Sequence, residues 1–402
     1  MSRAELPSFD FAWFREQLLA NILPRWLERA PTPEGLFLPH FDREWRPTGE
    51  RFGTLVSQGR LLHNFAVGYE ATGEAAYRDA VEAGARFLLG PFRDRQHGGW
   101  LYAVEADGTV VDEHKDSYGH AFVLFGLAHA ARVTGDPEIR AGVLDAVETL
   151  NGRFRDGCGG LASRMSRDWR DLDARRSQNP VMHAFEALLA ASAVKGLAGL
   201  LDATAGTSFA GPASRAAERV ARFVFDRLAG ADGALPEIFT MDWRPLPADE
   251  GGWINIGHQF EWAFLLSRAV EAGLPASYLT HAEELIEQGL RLGFDAAHGG
   301  IFTAATPSGE VKPARKGWWE QCEAIRALLH FAVRRGRDDL REPLERTLAF
   351  VKRSFIDAEH GGWFAQAEAD GRPLPSRKGG PFKLDYHQVA MCAEAIRLEG
   401  GR

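Results

Sequence analysis

The chain has 402 residues, 45% hydrophobic and 25% charged, with a formal net charge of −8; these proportions exclude a mostly disordered chain, and the acidic balance speaks against a nucleic-acid footprint. No run approaches the ~18 consecutive apolar residues of a membrane span, and the start, Met1-Ser2-Arg3-Ala4-Glu5-Leu6, lacks the charged-then-apolar pattern of a signal peptide. Three scattered cysteines, Cys158, Cys322 and Cys392, do not make a disulfide framework, so the expectation is a soluble, cytoplasmic protein.

Along the chain a glycine followed by apolar residues recurs at Gly35, Gly99, Gly160, Gly233, Gly300 and Gly362, at intervals of 64, 61, 73, 67 and 62 residues. Three of these read His-Gly-Gly, at His97, His298 and His360. A period of this kind marks repeated structural units, and the doubled glycines read as structural turns that need positive φ. Between the glycines apolar residues fall at helical spacing in twelve segments, near 9–29, 55–72, 75–90, 116–134, 136–153, 180–200, 213–229, 257–273, 276–293, 318–335, 337–355 and 384–398. Asp136-Pro137-Glu138 supplies an N-cap, an N1 proline and a first-turn acid. Links such as Ala71-Thr72-Gly73 and Thr134-Gly135-Asp136 are tight, so the helices they join are antiparallel neighbours.

Twelve helices in six repeats define an all-α fold, and the expected architecture is a closed (α/α)6 barrel. An open superhelix of helical pairs is the alternative; apolar terminal units favour closure. The Pro/Gly-rich piece from Gly371 to Pro381 is too short to divide the chain, and one catalytic domain is expected over 1–402.

Polar residues collect at the starts of the even-numbered segments: Ser57-Gln58-Gly59-Arg60, Tyr118-Gly119-His120, Gln178-Asn179-Pro180-Val181-Met182-His183 with Glu186, Gly257-His258-Gln259-Phe260-Glu261-Trp262, Trp318-Trp319-Glu320-Gln321-Cys322-Glu323 and Tyr386-His387-Gln388. As an inner ring of parallel helices, these segments bring six N-termini, each with unpaired N–H groups and partial positive charge, to one mouth. That setting suits a hydroxyl-rich ligand or an intermediate that gains negative charge. Three chemistries fit these residue types. Metal binding has His183 with Asn179, or His258 with Glu261, neither at an established ligand spacing. Glycoside hydrolysis needs two carboxylates across the sugar, with Glu186, Glu261, Glu320 and Glu323 as candidates. Histidine acid–base chemistry has His258 and His387.

Taken together, in order and at the repeat positions, these motifs resemble the N-acylglucosamine 2-epimerase family, which includes cellobiose 2-epimerases, mannose isomerases and related aldose–ketose isomerases. The resemblance runs over nearly the whole chain. It implies an (α/α)6 barrel and cofactor-free, metal-free isomerisation or epimerisation at C2 of a reducing sugar through a cis-enediol. The family's catalytic histidines fall on His258 and His387. Its substrate-binding groups fall on Arg60, Tyr118, Asn179 and His183, the glutamate paired with the first catalytic histidine on Glu261, and a stacking tryptophan on Trp319. Gly-His-Gln-Phe-Glu-Trp-Ala looks most like the mannose isomerase branch, and Trp318-Trp319-Glu320-Gln321 more like the epimerases. The implied substrate is a free hexose of the mannose type; an N-acylglucosamine or cellobiose 2-epimerase is the alternative, and a glycoside hydrolase or a non-catalytic sugar-binding barrel lies outside the family. The only implied partner is the small sugar, with no nucleic acid or membrane, in a monomer or homodimer. The loop from Arg372 to Lys383 reads equally as a lid or as a solvated loop.

Overall fold

The computed structural model describes residues 9–195, 197, 212–230 and 232–400. The Met1–Leu6 start and the last part of the 180–200 segment lie outside the described residues. The first helical rod consists of α1 (Phe11–Glu16), a π-helical stretch (Gln17–Ile22) and α2 (Leu23–Arg29). There follow α3 (Leu55–Thr72), α4 (Ala75–Leu89), α5 (Ser117–Thr134), α6 (Pro137–Arg153), α7 (Gln178–Ser192), α8 (Pro212–Arg227), α9 (Ile256–Glu271), α10 (Tyr278–Gly293), α11 (Trp318–Arg334), α12 (Arg341–Ser354) and α13 (Tyr386–Gly400).

Helices α3, α5, α7, α9, α11 and α13 form the inner ring. Each packs on the next, and α13 returns to α3. The barrel is therefore closed, and the open superhelix is set aside. Inner helices are buried nearly all round, whereas outer ones bury one stripe, as α10 does with Tyr278, Ala282, Leu285, Ile286 and Gly289. Gly73 and Gly135, at φ 73° and 68°, end α3 and α5 in the left-handed conformation and turn the chain into the antiparallel outer helix. Asp136 accepts from the N–H groups of Glu138 and Ile139, with Pro137 opening α6 as expected.

The first rod departs from the expected plain helix. Its π stretch turns Gln17 and Asn21 toward the sixth repeat: Gln17 Oε1 accepts from Trp363 Nε1 at 3.0 Å, and Asn21 Oδ1 from the Gly362 N–H at 2.8 Å.

The long connections form short antiparallel ladders at the N-terminal end of the inner ring. The segment entering an inner helix pairs with the hairpin of the next repeat: Phe52–Thr54 with Ala103–Glu105, Lys115–Asp116 with Arg164–Met165, Arg176–Ser177 with Ile238–Phe239, Ile254–Asn255 with Ala304–Ala305, and Arg315–Gly317 with Gln366–Glu368. The last link returns to the first repeat, where the N–H groups of Lys378 and Gly379 donate to Asp42 and Phe41 carbonyls.

Two further devices recur. A buried cation pins an aspartate in four repeats: Lys115–Asp94 at 2.8 Å, Arg176–Asp156 at 3.2 Å, Lys316–Asp295 at 2.7 Å and Lys378–Asp357 at 2.6 Å. Each aspartate also accepts N–H groups of its own glycine turn. In addition, Trp169, Trp243 and Trp45 lie over Gly99, Gly160 and Gly362 of the preceding repeat, where a Cβ would meet the indole.

Candidate active site

The mouth of the inner ring opens on a cavity of about 500 Å³. Its wall includes Arg60, Tyr118, Asn179, His183, His258, Trp319 and His387, seven of the eight residues singled out from the sequence; Glu261 is not on it. Every one of the seven stands in the first turn or two of an inner helix. Caps fix those turns: Thr54 and Ser57 form a reciprocal capping box on α3, Asp116 accepts from the Gly119 N–H, Ser177 from that of Asn179, and Asn255 from that of His258.

His258 and His387 both pack against Trp319, with ring centroids 5.0 Å and 5.4 Å from the indole. Gly257 makes room for that indole, since a Cβ there would collide with the Trp319 ring. Both imidazoles are backed by carboxylates. His258 Nδ1 lies 2.7 Å from Glu237 Oε2, and His387 Nδ1 2.7 Å from Glu323 Oε1. Gln178 Nε2 donates to the same Glu237 oxygen at 2.9 Å, and Trp262 Nε1 holds the Gln178 amide in that orientation. With Nδ1 engaged, Nε2 of each histidine is the nitrogen left for a ligand. Burial, followed by Arg60 and His183, lowers His387 well below the usual imidazole range. It is therefore a neutral base at neutral pH. For Glu237 burial opposes ionisation, but His258 and the hydrogen bonds of Gln178 and Ser177 outweigh it, and its carboxyl stays low.

Glu261, expected to orient His258, does not. A helical side chain leans toward its helix N-terminus, so His258 reaches back to the hairpin before α9, where Glu237 sits, while Glu261 lies one turn deeper. Glu237 is the functional residue that sequence reasoning missed. Its signal was the repeat register: the carbonyls of Tyr102, Ser163, Glu237, Thr303 and Ala365 each accept the first N–H groups of an inner helix, and at that shared position only the fourth repeat has a carboxylate.

Arg60 is held in place by Nη1 to the Phe382 carbonyl and Nη2 to Tyr118 Oη, both 2.6 Å, and by the ring of Phe122 at 4.5 Å. His183 Nδ1 lies 3.2 Å from Glu186, whose carboxylate accepts from Tyr386 Oη at 2.5 Å. The 372–383 segment is neither a lid nor a solvated loop throughout. Lys378 and Lys383 are buried on Asp357 and Asp385, so its second half is fixed wall.

Several polar residues in the inner-helix motifs are structural. The side-chain amides of Gln58, Gln259 and Gln321 clamp the backbone beyond Gly35, Gly233 and Gly300, at Phe37, Leu235 and Ile301. His120 does the same at Trp100: its Nδ1 donates to the Asp116 carbonyl and its Nε2 accepts the Trp100 N–H. Buried hairpin backbone requires such partners.

The carboxylates proposed for glycoside hydrolysis, Glu186, Glu261, Glu320 and Glu323, are all buried and absent from the cavity wall. Among the described residues the wall carboxylates are Asp116, which caps α5, and Glu237, which backs His258. Both are engaged in these roles, Asp116 with the Gly119 N–H and Glu237 with His258. The N and O atoms of His183, Glu186 and Glu261, and of Glu261, Glu323 and His387, lie within 4.8 Å of one another. In both groups the imidazole Nδ1 is already bonded to a carboxylate, His183 to Glu186 and His387 to Glu323, and Glu261 alone is left without a hydrogen-bond partner.

A larger cavity of about 1110 Å³ opens at the other end of the barrel, lined by ion pairs such as Arg132–Glu70 and Arg397–Glu394. These arginines sit at the C-terminal ends of inner helices, where cations offset the helix dipole. Among the described residues no helix is long and apolar enough to cross a membrane.

A ring of helix N-termini around two carboxylate-backed imidazoles and a fixed guanidinium defines an (α/α)6-barrel enzyme equipped for acid–base chemistry on a polar small molecule. The N-acylglucosamine 2-epimerase (GlcNAc 2-epimerase) family model matches residues 35–392, and the chain belongs to that family. It is an enzyme of the isomerase class, a sugar isomerase or epimerase. The chain is 31% identical over 358 residues to the D-mannose isomerase of Pseudomonas cannabina pv. alisalensis, covering 84% of this chain and 82% of that protein. A crystal structure of a D-mannose isomerase superposes with a TM-score of 0.86 at 24% identity, covering 98% and 100% of the two chains. The cellobiose 2-epimerase of Spirochaeta thermophila DSM 6192 also gives 0.86, at 25% identity and 97% and 96% coverage.

Proposed function

We propose that the protein interconverts a free hexose of the mannose type with its ketose, its C2 epimer or both, as one cofactor-independent catalytic domain over residues 1–402, monomeric or homodimeric, in the cytoplasm. The observation that carries this reading is the pair of imidazoles, His258 and His387, both packed against Trp319 with Nδ1 of each tied to a carboxylate. The sugar opens to its aldehyde, and Nε2 of one histidine removes the C2 proton. Charge moves to O1, giving a cis-enediol(ate) that Arg60, His183 and the helix N-termini stabilise. Protonation on the opposite face of C2 gives the epimer, and protonation at C1 gives the ketose. Tyr118 and Asn179 bind the hydroxyls and Trp319 underlies the ring. The mannose preference draws on the D-mannose isomerase relative.

A second reading, a disaccharide bound by its reducing end, draws on Trp253 and Phe382, which line the mouth at 38% and 53% exposure and offer aromatic faces to an outer ring. A proton NMR time course in D2O, with mannose, fructose, glucose, N-acetylglucosamine, N-acetylmannosamine and cellobiose offered separately, tests both. Deuterium entering at C2 of mannose or glucose is the expected result. Turnover of cellobiose alone supports the second reading, and hydrolysis without exchange overturns both.

A further inference from the structure

Beneath the sugar cavity the barrel holds a polar layer whose central residue the mechanism above does not use. Glu261 lies at its centre, 0% exposed, and neither of its carboxyl oxygens has a hydrogen-bond partner. On one side stands the His183–Glu186 pair and on the other the Glu323–His387 pair, each with N and O atoms within 4.8 Å of Glu261. The charged and titratable groups facing it come from every neighbouring inner helix: Arg60 of α3, Tyr118 of α5, His183 and Glu186 of α7, Glu323 and Arg326 of α11, and Tyr386 and His387 of α13.

Three carboxyl groups thus share this layer with Arg326 as their nearby cation besides Arg60. Glu186 is compensated by His183, Tyr386 and Arg326 and stays low, whereas Glu323, although it has His387 and Arg326, is pushed up to about 7 by burial and by Glu186. A third anion with no donor of its own, buried between two others, is the arrangement that a buried site does not tolerate. A proton removes the conflict and turns Glu261 from an acceptor without donors into a donor flanked by two acceptors. Burial first, then the charges of Glu323 and Glu186, raise its carboxyl well above the usual range, in the same direction as the geometry.

We propose that Glu261 works as a neutral carboxylic acid, a buried donor that ties the His183–Glu186 pair to the Glu323–His387 pair beneath the sugar. Its O–H bonds one of the flanking carboxylates. On the Glu323 side this leaves the other Glu323 oxygen to accept from His387 Nδ1, keeping Nε2 basic and aimed at the cavity. Glu261 is a positioning residue; it touches no sugar atom. This role rests on the proposed two-histidine isomerisation, whereas the protonation state does not.

Two measurements test it. The first is an infrared difference spectrum between the wild-type protein and Glu261→Gln at pH 7, in H2O and D2O, without sugar. A carboxylic-acid C=O band present only in the wild type, shifted in D2O, is the expected result; its absence overturns the proposal whatever the enzyme's substrate is. The second compares variants on the sugar identified by NMR. Glu261→Leu loses at least ~10²-fold in kcat, the scale of general acid–base effects, with KM nearly unchanged. Glu261→Gln, which keeps shape and a donor, recovers most of that loss and retains activity at alkaline pH where the wild type declines. A glutamine variant as impaired as the leucine one shows instead that the ionised carboxylate is needed, and sinks the idea. If the wild type turns over none of the sugars, the infrared result still decides the protonation state.

Discussion

Glu237 and His258 meet at 2.7 Å although they lie on different elements, one in the hairpin of the fourth repeat and the other in the first turn of the inner helix that follows. The carboxylate fixes the Nδ1–H tautomer and the ring orientation, so basicity is delivered at Nε2. Glu237→Gln keeps the volume but replaces the charged acceptor. The expected result is a fall in kcat of about 10- to 10²-fold with little change in KM, measured by steady-state kinetics on the sugar that NMR identifies. An unaltered kcat shows that Glu237 does not orient the base.

In the proposed mechanism both imidazoles are required for a proton to leave one carbon and return elsewhere. His258→Ala and His387→Ala should each lose at least ~10²-fold in turnover. Solvent deuterium exchange at C2 separates their roles. The variant lacking the abstracting base shows no exchange, and the one lacking the partner retains exchange with little product. Near-normal turnover in either variant removes the two-histidine mechanism.

Gly257 is the point where α9 and the Trp319 indole approach too closely for a side chain. Gly257→Ala forces the indole to shift, and the overpacking should cost about 1–3 kcal/mol in stability. Because Trp319 lines the cavity and touches both histidines, KM should rise as well. Denaturant titration and kinetics check the two effects, and a variant with both unchanged shows that the indole moves freely.

The buried pins predict an acid sensitivity. Burial opposes ionisation of Asp295, but bonds from Lys316 and from the N–H groups of His298 and Ala297 outweigh it and hold the carboxyl at about 2. A depressed folded-state pKa contributes stability that is present above the unfolded value, near 4, and is lost as pH falls through the folded one. Melting temperature should therefore drop between about pH 4 and pH 2. Asp295→Asn should lower it at neutral pH, because Lys316 is left buried and unpaired, and should flatten the acid slope. Thermal melts across pH read both; parallel curves for the two proteins contradict the assignment.

The sequence carried the repeat and the helices because each glycine turn and each 3.6-residue stripe is local information. The inner ring followed from which segments began with polar residues, and seven residues of the cavity wall were named from those starts. Less legible was which polar residues serve the fold. Gln58, His120, Gln259 and Gln321 share the positions of the chemical groups, yet their partners are hairpin backbone atoms some 20 residues away. Glu237 was missed because its partner is set by a side chain leaning back toward its helix N-terminus, which linear spacing along α9 does not express. The pins Lys115–Asp94, Lys316–Asp295 and Lys378–Asp357 recur at a fixed offset of 21 residues, a second repeat signal that hydrophobic periodicity does not register.

The last link of the ring, where Lys378 and Gly379 reach back to Asp42 and Phe41 and α13 joins α11 to α3, has a consequence for biosynthesis. A ribosome releasing this chain exposes an incomplete ring with an apolar seam until α13, 15 residues long, emerges. That helix also brings His387. A product truncated before α13 is therefore sticky and, on the two-histidine mechanism, inert, so the first turnover reports that α13 has been made and has closed the ring.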